Sequence, residues 1–171
     1  MFIEIISFLG LVIGYLLAKN IKEELIPGKK WFLILSRLML LILIIILLKF
    51  NFEFLIALII GIILNYFIKK IYLFLGLILA LNINNILLSL IVFIFGLAYG
   101  TLEYIKFNKI NYRSVLINFI LFIMPILILF NKFTMIYNNV LTGLAVGGMI
   151  IELFRTNSGF KEKKRTSRSR R

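Results

Sequence analysis

Three residue types on which most enzymes depend are missing: the 171-residue chain contains no cysteine, no histidine and no aspartate. Without cysteine there is neither a disulfide nor a thiolate metal site. Zinc hydrolysis lacks its ligands, a Ser–His or Cys–His pair cannot be assembled, and aspartyl intramembrane proteolysis has no aspartate to use. Haem and redox ligation is left with Met and Tyr. The acids are Glu4, Glu23, Glu24, Glu53, Glu103, Glu152 and Glu162. These absences argue against an enzyme and leave no cofactor, metal or catalytic residue to assign.

What is present is apolar. The chain is 62% hydrophobic with a mean hydropathy of +1.06, above the roughly half expected of a soluble domain. Seven runs approach the ~20 residues that cross a hydrocarbon core: 2–18, 31–48, 50–68, 71–83, 86–105, 115–130 and 135–154. The expected fold is an all-α integral membrane protein, a bundle of about seven transmembrane helices over residues 1–154. Reading the short fourth run as a re-entrant loop gives six spans as the alternative.

Positive charge decides between them. With the N-terminus outside, seven spans place every Lys and Arg except Lys49, Lys132 and Arg37 on the cytoplasmic side, as the positive-inside tendency requires. Six spans would move Lys106, Lys109, Arg113 and the tail outside while Lys19 and Lys69 stay inside. The expected topology is N-out/C-in, multi-pass, in the cell membrane if the source is prokaryotic. Glu4 precedes the first run and Lys19 and Lys22 follow it, the wrong order for a cleaved signal peptide, so a retained first helix is expected.

Most loops are short, and consecutive helices are therefore expected to be antiparallel neighbours. Pro27-Gly28 reads as a turn within a longer loop, 20–30. Asn82, Asn84 and Asn85 suit either a turn or a broken helix. The tail, 155–171, is polar and basic and is expected to be disordered. Its densest stretch, bounded by Lys161 and Arg171, suits anionic lipid headgroups at about 1 kcal/mol per Lys/Arg near the surface. Nucleic acid or ribosome contact is a less favoured extension of the same charge.

One motif recurs. Gly10-Leu11-Val12-Ile13-Gly14, Gly96-Leu97-Ala98-Tyr99-Gly100 and Gly143-Leu144-Ala145-Val146-Gly147 each put glycines one turn apart on one helix face. Such faces let backbones approach closely, within the chain, with other membrane proteins or with a second copy. The recurrence also suggests that helices one to three echo five to seven, with the fourth as connector, as in transporters built from parallel repeats.

Polar groups inside apolar runs are the candidate site. Arg37, Asn65, Glu103, Asn118 and Glu152 all fall toward the cytoplasmic side. Arg37 either snorkels to the headgroups or pairs with Glu103 or Glu152. Glu103 and Glu152 have Lys106 and Arg155 three residues on, a spacing for local pairs. Together with Ser36 the cluster can line an inward-facing cavity; interhelical hydrogen bonding is the plainer reading. Pro125 is expected to kink the sixth helix. Glu4 and Glu53 are expected to be solvated at the outer surface.

Seven N-out spans in a small chain, with Leu-Leu-Ala-Lys at residues 16–19, resemble the bacterial glycerol-3-phosphate acyltransferases. That family's glycine-rich phosphate loops and histidine motif are absent, so no residue roles carry over. The function expected is that of a non-enzymatic membrane subunit or scaffold acting through helix packing and its basic tail. The alternative is a small transporter or substrate-binding membrane component.

Overall fold

The computed structural model describes residues 2–107, 110–129 and 138–155. Every regular element is an α-helix: α1 (Phe2–Asn20), α2 (Lys22–Leu47), α3 (Phe52–Ile68), α4 (Ile71–Leu81), α5 (Ile86–Phe107), α6 (Tyr112–Leu129) and α7 (Asn138–Arg155). The expected all-helical, seven-helix bundle is thus observed. Ile3–Asn20, Pro27–Leu47 and Ile86–Phe107 are long and apolar enough to cross a membrane; Phe52–Ile68, Ile71–Leu81, Tyr112–Ile128 and Asn138–Phe154 are shorter apolar helices. The basic tail, Lys132 and the outer ends of the sixth and seventh runs lie outside the described residues.

The connections follow from local chemistry. After α3, Lys69 takes a left-handed φ of 55° and its N–H caps the Asn65 carbonyl. The asparagine run between α4 and α5 is a turn rather than a broken helix. Asn82 Nδ2 donates to the Ile78 carbonyl at 3.0 Å, Asn84 supplies the left-handed residue at φ 69°, and Asn85 Oδ1 accepts the Leu88 N–H at 3.2 Å. Asparagine tolerates that backbone region and caps helix N-termini well. Asn111 does the same for α6, accepting the Ser114 N–H at 3.3 Å.

The expected loop 20–30 is not observed: Ile21 alone separates α1 from α2, and Pro27 lies inside α2. Pro27, the sixth residue of α2, removes the one bond its N–H would make to the Glu23 carbonyl, while its fixed φ is helical.

Helix directions alternate. Lys49, just past α2, donates to Asn139 at the start of α7, 3.0 Å away. The Asn84 N–H, past α4, donates to Glu4 Oε1 at the start of α1, 3.1 Å away. Ser114, early in α6, meets Glu103, late in α5. The ends of α1, α3, α5 and α7 therefore share one side with the starts of α2, α4 and α6.

Consecutive helices are not the main neighbours, contrary to expectation. The most extensive pairings are α1 with α5 and α3 with α7, both parallel, followed by α4 with α6 and α2 with α5. Glycine explains the choice. A methyl at Gly14 would overlap the Leu97 carbonyl, and one at Gly100 the Leu11 carbonyl; Gly61 meets the Leu144 carbonyl, and Gly147 the Leu58 carbonyl. Gly10 presses on Phe93, Gly96 on Leu11 and Gly143 on Phe54. Close backbone approach multiplies dispersion contacts between the paired helices.

The two pairs share a register, since one spacing carries Gly10, Leu11 and Gly14 onto Gly96, Leu97 and Gly100, and carries Leu58 and Gly61 onto Leu144 and Gly147. The middle helices do not follow this echo: α2 lies on α5, whereas α6 lies on α4.

Helix α4 is the buried centre. Its 11 residues span only about 16 Å at 1.5 Å per residue, and Ile71, Tyr72, Phe74, Leu75, Gly76, Ile78, Leu79 and Ala80 are all buried. Around it the core is apolar with a few buried polar groups, and the exterior, unlike that of a soluble protein, is apolar as well. Asn65, Thr101, Asn118, Thr142 and Glu152 are buried, while Ile6, Leu16, Leu38, Ile45, Ile59, Ile63, Leu90, Leu116, Ile120 and Leu127 face outward. Apolar surface of that extent marks contact with a membrane or another protein.

Candidate functional site

The five expected polar residues lie on five different helices: Arg37 on α2, Asn65 on α3, Glu103 on α5, Asn118 on α6 and Glu152 on α7. Asn65 belongs to the α3–α7 seam, where its Nδ2 donates to the Gly148 carbonyl at 2.5 Å and its side chain is fully buried. Gly148 can be approached so closely because it has no side chain; the Phe74 ring packs into that space. Across the other glycine pair, Thr101 Oγ1 lies 2.8 Å from the Leu97 carbonyl and 3.3 Å from that of Gly14. A hydroxyl between two parallel helices ties them without opening a space.

Glu103 departs from the expected pairing with Lys106. Its Oε1 accepts a 2.6 Å hydrogen bond from the Ser114 hydroxyl, and the Lys106 ammonium stands over the Phe107 ring, 5.4 Å from its centroid. The short α5–α6 connection, closed by the Asn111 cap, returns Ser114 to Glu103. Asn118, one turn beyond Ser114 on α6, is buried.

Arg37 is half-buried on α2, next to Ser36, whose hydroxyl donates back to the Leu33 carbonyl at 3.0 Å. Glu152 is buried on α7 rather than displayed at a helix end. Both Arg37 and Glu152 are engaged by partners, and α2 contacts α7 directly. The Arg155 side chain lies outside the described set, and with it the expected Glu152–Arg155 pair.

Glu4 corrects another expectation. It is 1% exposed, not solvated, because the Asn84 turn folds over it. Its backbone carbonyl also accepts from the Ser7 hydroxyl at 2.6 Å. Glu53 is exposed, as expected.

Three tyrosines complete the Glu103 region, and the sequence reading passed over them. Tyr15 on α1 and Tyr72 on α4 are fully buried, and Tyr99 lies on α5 one turn before Glu103. The Tyr72 and Tyr99 rings meet edge-on at 5.8 Å. Phe8 and Phe122 pack against Tyr72 from the far side, at 5.6 and 6.4 Å. The Glu103 carboxylate lies beside the Tyr15 hydroxyl, and Tyr72 approaches it behind the nearer Tyr99. The one available signal was composition: this chain uses Phe 17 times and Tyr 7 times, so a Tyr inside an apolar run is a departure from its habit.

Among the described residues no group of three His, Cys, Asp or Glu side chains is placed to hold a metal ion. No protein-family model matches the chain, and neither does any curated protein or solved structure.

Proposed function

We propose that the chain is a multi-pass membrane protein with seven spans, N-out/C-in, that serves as a non-enzymatic membrane subunit or scaffold. The observation that carries this reading is the apolar exterior of the bundle. Polar side chains are spent on ties between helices, and the outward faces are apolar. Two buried polar contacts, Asn65 to Gly148 and Thr101 between Leu97 and Gly14, join helices that glycine has already brought together. A rigid body of this kind suits presentation of a surface or a tail to partners.

The loops at the end shared by Lys19, Lys69 and Lys106 are basic, which supports their cytoplasmic placement. Trp31, Tyr66, Phe67, Tyr112 and Phe154 are exposed near that same end, and Phe50 and Phe52 near the other. Aromatic side chains at both ends fit two membrane–water interfaces. Short helices such as α4 are accommodated because neighbouring helices cover them. On this reading the tail 155–171 lies on the anionic inner leaflet and contributes to docking.

Purification in mild detergent, with identification of what co-purifies, tests the function. A stoichiometric membrane-protein partner, or a stable homo-oligomer, supports the scaffold. A tightly retained small molecule with a monodisperse monomer instead supports the transporter or substrate-binding reading.

A further inference from the structure

The Glu103 region contains more polar atoms than packing needs. Tyr15 and Tyr72 are each 1% exposed, and neither hydroxyl nor Glu103 Oε2 makes a hydrogen bond of good geometry, although Tyr15 stands beside the Glu103 carboxylate. Phenylalanine would supply the same ring without a hydroxyl stripped of water. Buried polar atoms left unmet in this way point to a bound water or ion between them. Four helices contribute: α1 with Tyr15, α4 with Tyr72, α5 with Glu103 and α6 with Ser114.

We propose that Glu103, Ser114, Tyr15 and Tyr72 form a binding site for a monovalent alkali-metal cation. All the donors are oxygens, which select hard cations over transition metals. One carboxylate supplies one negative charge. A monovalent ion balances it, whereas a divalent ion leaves excess charge in an apolar interior. Lys106, the nearest cation along α5, is turned to the Phe107 ring and does not compete. Glu103 and Ser114 are half-buried, so the site opens toward the end of the bundle where α5 stops. An ion there satisfies the carboxylate and both hydroxyls and ties α1, α4 and α6 to α5. This site goes beyond the scaffold reading and does not depend on it.

The test uses the full-length chain in mild detergent, with Tm measured in sodium, potassium and choline chloride at equal ionic strength and pH. Sodium or potassium is expected to raise Tm over choline by on the order of 3 °C at tenfold excess over Kd. Glu103→Gln should abolish the shift. Tyr15→Phe and Tyr72→Phe should weaken the apparent Kd several-fold, and Tyr112→Phe, at the exposed start of α6, should leave it unchanged. Equal Tm in all three salts would overturn the proposal in favour of a trapped water. A full response in Glu103→Gln would place the ion elsewhere. Should that variant fail to purify, an unchanged Kd in both tyrosine variants overturns the site just as directly.

Discussion

At the scale of single residues, glycine decides which helices touch. Gly100 has the Leu11 carbonyl of α1 against it, whereas the nearest neighbour of Gly28 is the flexible Phe32 side chain, 3.6 Å from where a Cβ would sit. Gly100→Leu should therefore force α1 from α5 and cost on the order of 1–3 kcal/mol by overpacking, while Gly28→Leu should cost far less. Thermal unfolding of the two variants in detergent checks this. Equal melting of both with the wild type would make the glycine faces incidental.

Arg37 offers a second residue-scale test. Glu103 is already held by Ser114, so Arg37 is expected to couple to Glu152 across the α2–α7 contact. Removing one member of a desolvated pair strands the other and costs more than removing both. A double-mutant cycle with Arg37→Leu and Glu152→Leu should give a coupling of at least about 0.5 kcal/mol. The Arg37–Glu103 cycle should be additive. Additivity in both cycles would mean that Arg37 snorkels.

Residue identity showed where backbones approach but not which ones. Gly14 and Gly100 were legible because a missing side chain is visible without knowing its neighbour. That Gly14 faces α5 was not, since spacing along the chain carries no record of tertiary pairing. The burial of Glu4 depends on a turn eighty residues away folding over it, and nothing local announces that. The unmet hydroxyls of Tyr15 and Tyr72 were not legible either, because a hydroxyl's lack of partners is a property of the assembled bundle.

At the scale of elements, the turn between α4 and α5 is the most specific joint. Asn84 sits at φ 69°, where a side chain other than Asn or Gly costs roughly 1–2 kcal/mol. Asn84→Ala should lower stability by about that amount, and Asn84→Gly should be near neutral. Because the Asn84 N–H also holds Glu4 Oε1, loosening this turn should expose the start of α1 to proteolysis. Equal stability of the two variants would show that the left-handed backbone at residue 84 does not set this requirement. The sequence marked this turn through its asparagines. It misled at Pro27-Gly28, where proximity to a helix start let a turn signal be absorbed into α2.

The tail is an element of a different kind. Within it, residues 161–171 are basic and contain no apolar residue, which predicts electrostatic attraction to anionic headgroups, weakening as screening shortens to ~3 Å at 1 M salt. A peptide covering 161–171 should bind anionic vesicles at low salt and release them at high salt. Equal binding to neutral vesicles would reject the lipid reading; salt-resistant binding to ribosomes would shift it to docking.

At the scale of the whole molecule, the proposed account rests on one ordering of charge and span. Alternation of helix direction places the ends of α1, α3, α5 and α7 together, and the basic loops gather with them. Tags at residues 1 and 171, probed for accessibility on either side of the intact membrane, test that ordering most directly. The account predicts opposite sides, with residue 1 outside and residue 171 inside. Both tags on the same side would contradict it, because an even number of crossings cannot be reconciled with seven spans.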